Sequence, residues 1–457
     1  MNGPCCKLAC VAMLAALFQA GCGGVFPLDA LAPANGPTDD NTPSDVSPND
    51  SPPDGGGVDP NNPPPPPPGN DESSGGGGFT IEQTLSDQAQ RNTIAFDALA
   101  FLTGDLCADS FLPPGKVSDF CGFQYLRDND PDGMGHNTDF VTRIANNVLY
   151  ILTDDQLAEL IELAERQVNL INEYAYMRFP LMKAFRRLLE GDLPEGSTDL
   201  DVNAVMAYSA ELYRLDGQIS FQRAEVFGGI LRSLDQSQLD YLDELAAGGM
   251  LSWPQRPDQV DPRSLTNDVH VAVMTYAGQI FSWYAGSVEA DTYFCPERQG
   301  TYFGSFYLKD IPAMGNPGYS IDEDLTGRSG ETFLAALTDT QAELVTDLVD
   351  IQRETMQELV ETRRQIAAEL RRFMAGETVD EETVLRLAER YGELDGEIVY
   401  YYATHFAEVD RSLTVAQQDE LWSIRNLDDF PCSGAYLYSE NIDMPEIGDT
   451  DFLFDQP

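Results

Sequence analysis

Along the folded part of this chain, apolar positions recur with the period of an α-helix, and the same order of elements is written twice. After Thr338 the apolar residues fall at Leu344, Leu348, Ile351, Leu359, Ile366, Leu370 and Phe373, which marks one face of a long helix. Gly376 to Asp380 reads as a turn. Val384, Leu387, Tyr391, Leu394, Ile398, Tyr401 and His405 then form a second stripe. The first half carries the same order from Leu152, with a kink expected at Pro180, whose ring removes a backbone donor. Each half is predicted to form a long antiparallel helical hairpin with shorter helices around it, about five helices in all.

The helix starts are also written in the sequence. Leu152-Thr-Asp-Asp-Gln156 and Leu337-Thr-Asp-Thr-Gln341 open the two halves. Leu234-Asp-Gln-Ser-Gln238 and Leu413-Thr-Val-Ala-Gln417 come later in each. A Thr or Asp at the cap accepts a hydrogen bond from the backbone N–H three residues on, and Gln at that position reaches back to the cap. Further matches run through whole elements. Ala108-Asp-Ser-Phe111 echoes Ala290-Asp-Thr-Tyr293, Arg186-Arg187 echoes Arg371-Arg372, and Leu215-Asp-Gly217 echoes Leu394-Asp-Gly396. The expected fold class is therefore all-α. It consists of two tandem helical-hairpin bundles from an internal duplication, residues 79–260 and 261–457, with irregular loop insertions. Gly217 and Gly396 lie inside helices, where Gly is disfavoured by about 1 kcal/mol. Counting back from the turns sets Asp216 opposite Arg178 and Asp395 opposite Arg363. Two equivalent Arg–Asp pairs bridging the hairpins are expected, with Gly allowing close approach.

The order of L-T-x-x-Q, long helix, turn, long helix, L-T-x-x-Q and short helix resembles the periplasmic Spy/CpxP family. The match runs from Leu337 to Trp422, and again from Leu152 to Leu245 with Asp235 in place of the second Thr. It covers about half the chain. The resemblance implies an all-α cradle that binds non-native proteins or senses envelope stress. This chain departs from the family by being duplicated, acidic and tethered, and residues 105–140 and 289–330 lie outside the match.

The N-terminal segment adds a location. Residues 1–22 combine Lys7, an apolar run from Leu8 to Phe18, and Gln19-Ala-Gly-Cys22. The run is too short to span a bilayer, and small residues before Cys resemble a bacterial lipobox that would lipidate Cys22. Residues 23–78 are rich in Pro, Gly, Asp and Ser and read as a disordered tether, with a reach on the order of 50–100 Å. The expectation is an extracytoplasmic lipoprotein of the bacterial cell envelope, attached to membrane only through its lipid.

A net charge of −49 argues against nucleic acid as a partner and fits basic ones. Four cysteines, Cys107, Cys121, Cys295 and Cys432, lie beyond the signal and allow three disulfide connectivities. Cys107–Cys121 and Cys295–Cys432 are favoured, because the first closes a short loop and the second would tie the tail to its own half.

The candidate metal site is the acidic loop Asp128-Asn-Asp130-Pro-Asp132-Gly133-Met134, ending at Asp139. Carboxylates at positions 1, 3 and 5, a backbone carbonyl at Met134 and an acid at position 12 follow the calcium-loop spacing. The counterpart beginning at Asp310 lacks the acids. No zinc-protease, nucleophile-elbow, phosphate-loop or dinucleotide motif occurs, and the histidines His136, His270 and His405 do not cluster. His405 reads as a satisfied core residue. The expected function is non-catalytic protein binding in a chaperone-like or envelope-stress role, without a cofactor other than calcium. The alternative is a calcium-stabilised structural or surface-assembly protein.

Overall fold

The computed structural model describes residues 87–103, 138–248, 253–288, 291–292, 329–425, 435–437, 440–442 and 446–455. The fold is all-α. Its first half contains α1 (Asp87–Thr103), α2 (Thr138–Ile151), α3 (Asp154–Met177), α4 (Phe179–Glu190), α5 (Val202–Ser233) and α6 (Gln236–Gly248). The second contains α7 (Asn267–Ala285), α8 (Ser329–Ala336), α9 (Asp339–Thr346), α10 (Leu348–Ile351), α11 (Arg353–Arg371), α12 (Glu381–Ser412) and α13 (Val415–Arg425). Two three-residue strands, Ala435–Leu437 and Glu440–Ile442, pair antiparallel near the C-terminus.

The capping boxes form where the sequence places them. Thr153 and Gln156 bond reciprocally at the start of α3, and Thr338 and Gln341 do so at the start of α9. Asp235 performs the same exchange with Gln238, and Thr414 with Gln417. Each hairpin's first arm ends at a left-handed glycine, Gly191 or Gly376, both with φ of 73°. A Cβ would be strained there.

The helix is interrupted at the kink expected from Pro180, with α3 ending at Met177 and α4 starting at Phe179, while Arg178 between them keeps helical angles of φ −69° and ψ −35°. One expectation about the long helices changes. Residues 339–371 are interrupted at Asp347 and Gln352, although i→i−4 bonds continue through both points: Asp347 N–H donates to the Glu343 carbonyl at 2.9 Å and Ile351 N–H to Asp347 at 3.1 Å, while Gln352 N–H donates to the Leu348 carbonyl at 3.0 Å and Met356 N–H to Gln352 at 2.7 Å. Ile351, expected on the apolar face, is exposed, and its neighbour Gln352 is buried instead. The side chain of Gln352 donates to Gln90 at 2.6 Å and accepts from the Tyr402 hydroxyl at 2.6 Å. A satisfied polar residue thus takes the inward position.

The halves do not stand side by side as separate bundles. Their main contact is the antiparallel crossing of α5 on α12. A Cβ added to Gly217 would stand 2.5 Å from that of Ala388, and one added to Gly396 would stand 2.9 Å from that of Ser209. A Cβ on Gly392 would lie 2.6 Å from the Ser209 carbonyl oxygen and 2.8 Å from the Tyr213 Cβ. These helices therefore meet backbone to backbone. The close approach expected at Gly217 and Gly396 is real, but it joins the two halves rather than the arms of one hairpin. The contacts are reciprocal: an interval of 179 residues separates Gly217 from Gly396, Ser209 from Ala388, and Tyr213 from Gly392.

The first helix of each half also crosses over. α1 packs on α8, α9, α12 and α13 of the second half, whereas α7 packs on α2, α3, α5 and α6 of the first. Phe101 of α1 and Tyr276, Ile280 and Trp283 of α7 are almost fully enclosed. Full burial of a side chain of this size contributes about 1.5–3 kcal/mol. The C-terminal residues 446–455 likewise dock on the first half rather than their own.

The crossing gives a signed prediction. Gly392→Ala should lower stability by about 1–3 kcal/mol, because steric overlap exceeds the gain in helix propensity. Gly229→Ala, in the same kind of helix but with nothing within 4 Å of its Cβ, should raise stability by up to about 1 kcal/mol. Urea denaturation of the two variants measures both, and a stabilised Gly392→Ala protein would refute the crossing.

Candidate functional site

Polar chemistry gathers where the halves interlock. Asp97, Asp216, Asp291 and Asp395 are buried, and so are Arg178, Arg186, Arg223 and Arg363. The four residues expected to form Arg–Asp pairs, Arg178, Asp216, Arg363 and Asp395, are all in this set. Asp395 accepts from the Tyr213 hydroxyl of the other half at 2.6 Å, and Tyr213 packs edge-on to Tyr391 with centroids 5.1 Å apart. Arg363 is fully enclosed and donates through Nε to the Asp291 carbonyl at 3.0 Å. The Asp291 carboxylate takes two bonds from Arg371, at 2.6 and 3.0 Å. Paired parallel bonds of this kind fix orientation as well as charge.

A glutamine organises each half. Gln167 donates to the Ile219 carbonyl at 2.9 Å and accepts from Tyr276 at 2.7 Å and Arg223 at 3.2 Å. Its counterpart Gln352 ties α1 to α12 through Gln90 and Tyr402. Burial pushes the Tyr402 hydroxyl well above its ordinary range, and the carboxylates of Asp97 and Asp395 add to the shift, while its bond to Gln352 opposes it. These groups are closed to solvent and occupied with one another. What they do chemically is hold the exchanged helices in register.

The capping glutamines meet as well. Gln238 donates to Gln156 at 2.8 Å and to the Ile151 carbonyl at 2.6 Å. Gln417 donates to Gln341 at 2.8 Å and to the Ala336 carbonyl at 3.0 Å. Each L-T-x-x-Q glutamine thus caps its own helix and clasps the other motif of its half, a pairing that spacing along the chain did not reveal. Across the halves, Arg232 donates to the Phe373 carbonyl and Arg411 to the Leu188 carbonyl, closing the C-terminal ends of the opposite hairpin arms.

The outer surface has a different character. Asp155, Glu159, Glu162, Glu165 and Glu173 line the exposed side of α3, and Asp339, Glu343, Asp347, Asp350 and Glu354 that of α9 to α11. Many of the arginines are engaged within the chain. Arg214 binds Glu389 and Glu382, Arg390 binds Glu358 and Glu393, and Arg353 binds Asp87 and Asp350. Arg166 neutralises Glu162 and Arg353 neutralises Asp350, but carboxylates outnumber arginines on these outer faces.

The remaining sequence candidates fall as follows. Cys22, Cys107, Cys121, Cys295, Cys432 and the loop residues Asp128, Asp130, Asp132 and Met134 lie outside the described residues. Asp139 stands in the first turn of α2. Among the described residues there is no cluster of three or more His, Cys, Asp or Glu placed to hold a metal, and no helix long and apolar enough to cross a membrane. His405 is half-buried, with Nδ1 2.9 Å from the Leu344 carbonyl oxygen, so that nitrogen carries the proton. Taken together, the fold and its polar centre define an all-α protein of two interlocked helical halves. Comparison with family models, curated proteins and solved structures returns no match.

Two measurements probe this centre. Arg363→Ala should cost about 3–5 kcal/mol in chemical denaturation, because it removes one charge from an enclosed ionic cluster. A loss below about 1 kcal/mol would mean that the cluster contributes little. His270 is held below its ordinary value of 6.5 by burial, with the charge of Asp258 opposing. Its contribution to stability is present above that value and declines as pH falls through 6.5 towards the folded midpoint. His270→Gln should flatten the stability profile in this window, and an unchanged slope would count against the burial of the imidazole.

Proposed function

We propose that this chain is a non-catalytic extracytoplasmic lipoprotein whose helical body binds proteins, in a chaperone-like or envelope-stress role, and that it favours cationic segments of them. The observation that carries this reading is the distribution of charge. Many arginines are spent on pairs with carboxylates of the same chain, at the surface as at Arg214 and Arg390, while α3 and the α9–α11 rod present an excess of carboxylates outward. A surface of this kind steers basic partners and repels acidic ones. Residues 1–22 supply the lipid anchor at Cys22, and residues 23–78 the tether that holds the body away from the membrane.

The resemblance to the Spy/CpxP family supports client binding, with one difference in means. An open cradle would present the apolar faces of its long helices, whereas here α5 and α12 bury theirs against each other. Attraction to clients then rests on the acidic exterior, and is screened over about 10 Å at 0.1 M salt.

The test is suppression of aggregation. The unlipidated Cys22→Ser chain is added at up to stoichiometric amounts to a basic and to an acidic unfolding protein. Protection of the basic protein that fades between low and high salt is expected. Absence of protection for either would overturn the reading. A second reading, calcium-stabilised surface assembly, draws on one observation: α2 begins at Thr138, so the last acid of the 128–139 loop opens a helix, as the exiting helix of a calcium loop does. A rise in melting temperature with millimolar calcium, abolished by Asp130→Asn, would favour it.

A further inference from the structure

The two hairpin tips differ, and the difference is occupied. In the second half the turn runs from Gly376 to the N-cap Asp380, while in the first it runs from Gly191 to the N-cap Asp201 and is six residues longer. The added stretch bends through Gly196, with φ of 89°. It makes one tight turn, with Ser197 N–H donating to the Pro194 carbonyl at 3.1 Å. It receives residues 446–455 from the far end of the chain.

The seating has the chemistry of a peptide in a binding site. Leu200 pairs antiparallel with Phe454, with Asp201 N–H donating to the Leu453 carbonyl at 2.9 Å and Asp455 N–H to the Asp199 carbonyl at 3.0 Å. Backbone pairing of this kind supplies affinity, and side-chain pockets supply specificity. Leu453 and Phe454 are fully buried, and the Arg187 guanidinium lies 4.9 Å from the Phe454 ring centre. Carboxylates anchor both ends. Asp451 meets Arg187 at 2.7 Å, while Asp455 accepts from Thr198 N–H at 2.7 Å, Thr198 Oγ at 2.8 Å and Asp199 N–H at 3.1 Å. Those bonds, that to Asp199 first, hold the Asp455 carboxyl below its ordinary value. Lys183 reaches the carbonyls of Ile447 and Gly448 at 3.0 Å each. Arg187 also binds Asp192 of its own turn at 3.3 Å, whereas its counterpart in the second half, Arg372, binds Glu369 of its helix and Glu377 of its turn.

We propose that the tip of the first hairpin is a docking site for an extended aromatic–acidic segment of the type Asp-Phe-Leu-Phe-Asp, and that its occupant in trans is the same C-terminal segment of a second copy of this chain. The donor follows the second half and the acceptor belongs to the first, so they are different surfaces. Exchange between copies is then head-to-tail and builds open chains rather than a closed pair. Twenty residues separate Arg425 from Glu446, and since the strands Ala435–Leu437 and Glu440–Ile442 fold back on each other the connection reaches up to about 50 Å. In cis such a connection sets a local concentration in the millimolar range. Tail exchange between copies therefore belongs to crowded conditions, such as copies concentrated on one surface.

The test uses the full-length chain and a labelled synthetic peptide of residues 446–457. Leu453→Ser with Phe454→Ser releases the resident tail, and fluorescence anisotropy then reads peptide binding. The released chain should bind at least tenfold more tightly than the unmodified chain, and Arg187→Ala in that background should weaken binding at least tenfold. Asp455→Lys, which keeps the apolar anchors, provides a milder release should the double variant lose helicity. Sedimentation of the unmodified chain at rising concentration should show assemblies that excess free peptide dissolves. Binding that is equal with and without the resident tail, or indifferent to Arg187, would overturn the site. Assemblies that persist in excess peptide, or a chain that stays monomeric at all concentrations, would overturn the second copy as its occupant.

Discussion

Everything else in this fold depends on how closely α5 and α12 approach. Gly217, Gly392 and Gly396 leave room for the opposite helix to meet backbone or Cβ atoms directly, at distances that no larger residue would permit. Helices this close bring normally remote groups into contact. The Tyr213 hydroxyl reaches Asp395 of the other half, and Arg232 and Arg411 reach carbonyls at the ends of the opposite hairpins. With both central helices buried on more than one side, each half lacks an independent core. Cohesion comes from the crossing together with the exchanged helices α1 and α7.

That arrangement explains why so much charge is tolerated inside. A buried ion is costly unless its hydrogen bonds are met, and an interlocked architecture supplies donors and acceptors from several elements at once. Asp291, just beyond α7, takes two bonds from Arg371, and the backbone of the same residue takes one from Arg363. Gln352 joins α1 to α12 in the same manner. Other arginines stay at the surface in pairs with carboxylates, as Arg214 does with Glu389 and Arg390 with Glu358, and the excess of carboxylate leaves the outer faces acidic.

Much of the local structure was legible. The L-T-x-x-Q segments are capping boxes because Thr or Asp and Gln at that interval satisfy two free N–H groups, a requirement that holds whatever the helix packs against. The stripe through Leu348, Leu359, Ile366 and Leu370 is buried as its period demands. The second buried face of α12 runs through Ala388, Gly392, Gly396, Ala403 and Ala407, and apart from Gly396 it escaped notice because small residues carry little hydrophobic signal. Their recurrence every four or seven residues was the available clue. Of the residues read as Arg–Asp pairs, all four are buried, but Tyr213 and Asp291, which bond Asp395 and Arg363, come from elements far away in sequence.

The sequence by itself determined the all-α class, the course of most helices and the boxes that cap them. These follow from interactions within a few residues, which spacing records directly. Only the tertiary structure decided that the halves exchange α1 and α7, that the glycines serve the contact between halves, and that the tail settles on the longer turn of the first half. Those outcomes turn on which apolar face finds which partner, and on whether a buried polar atom is met by a residue one or two hundred positions away. A single chain of letters states what each helix must bury, but not where it goes to bury it.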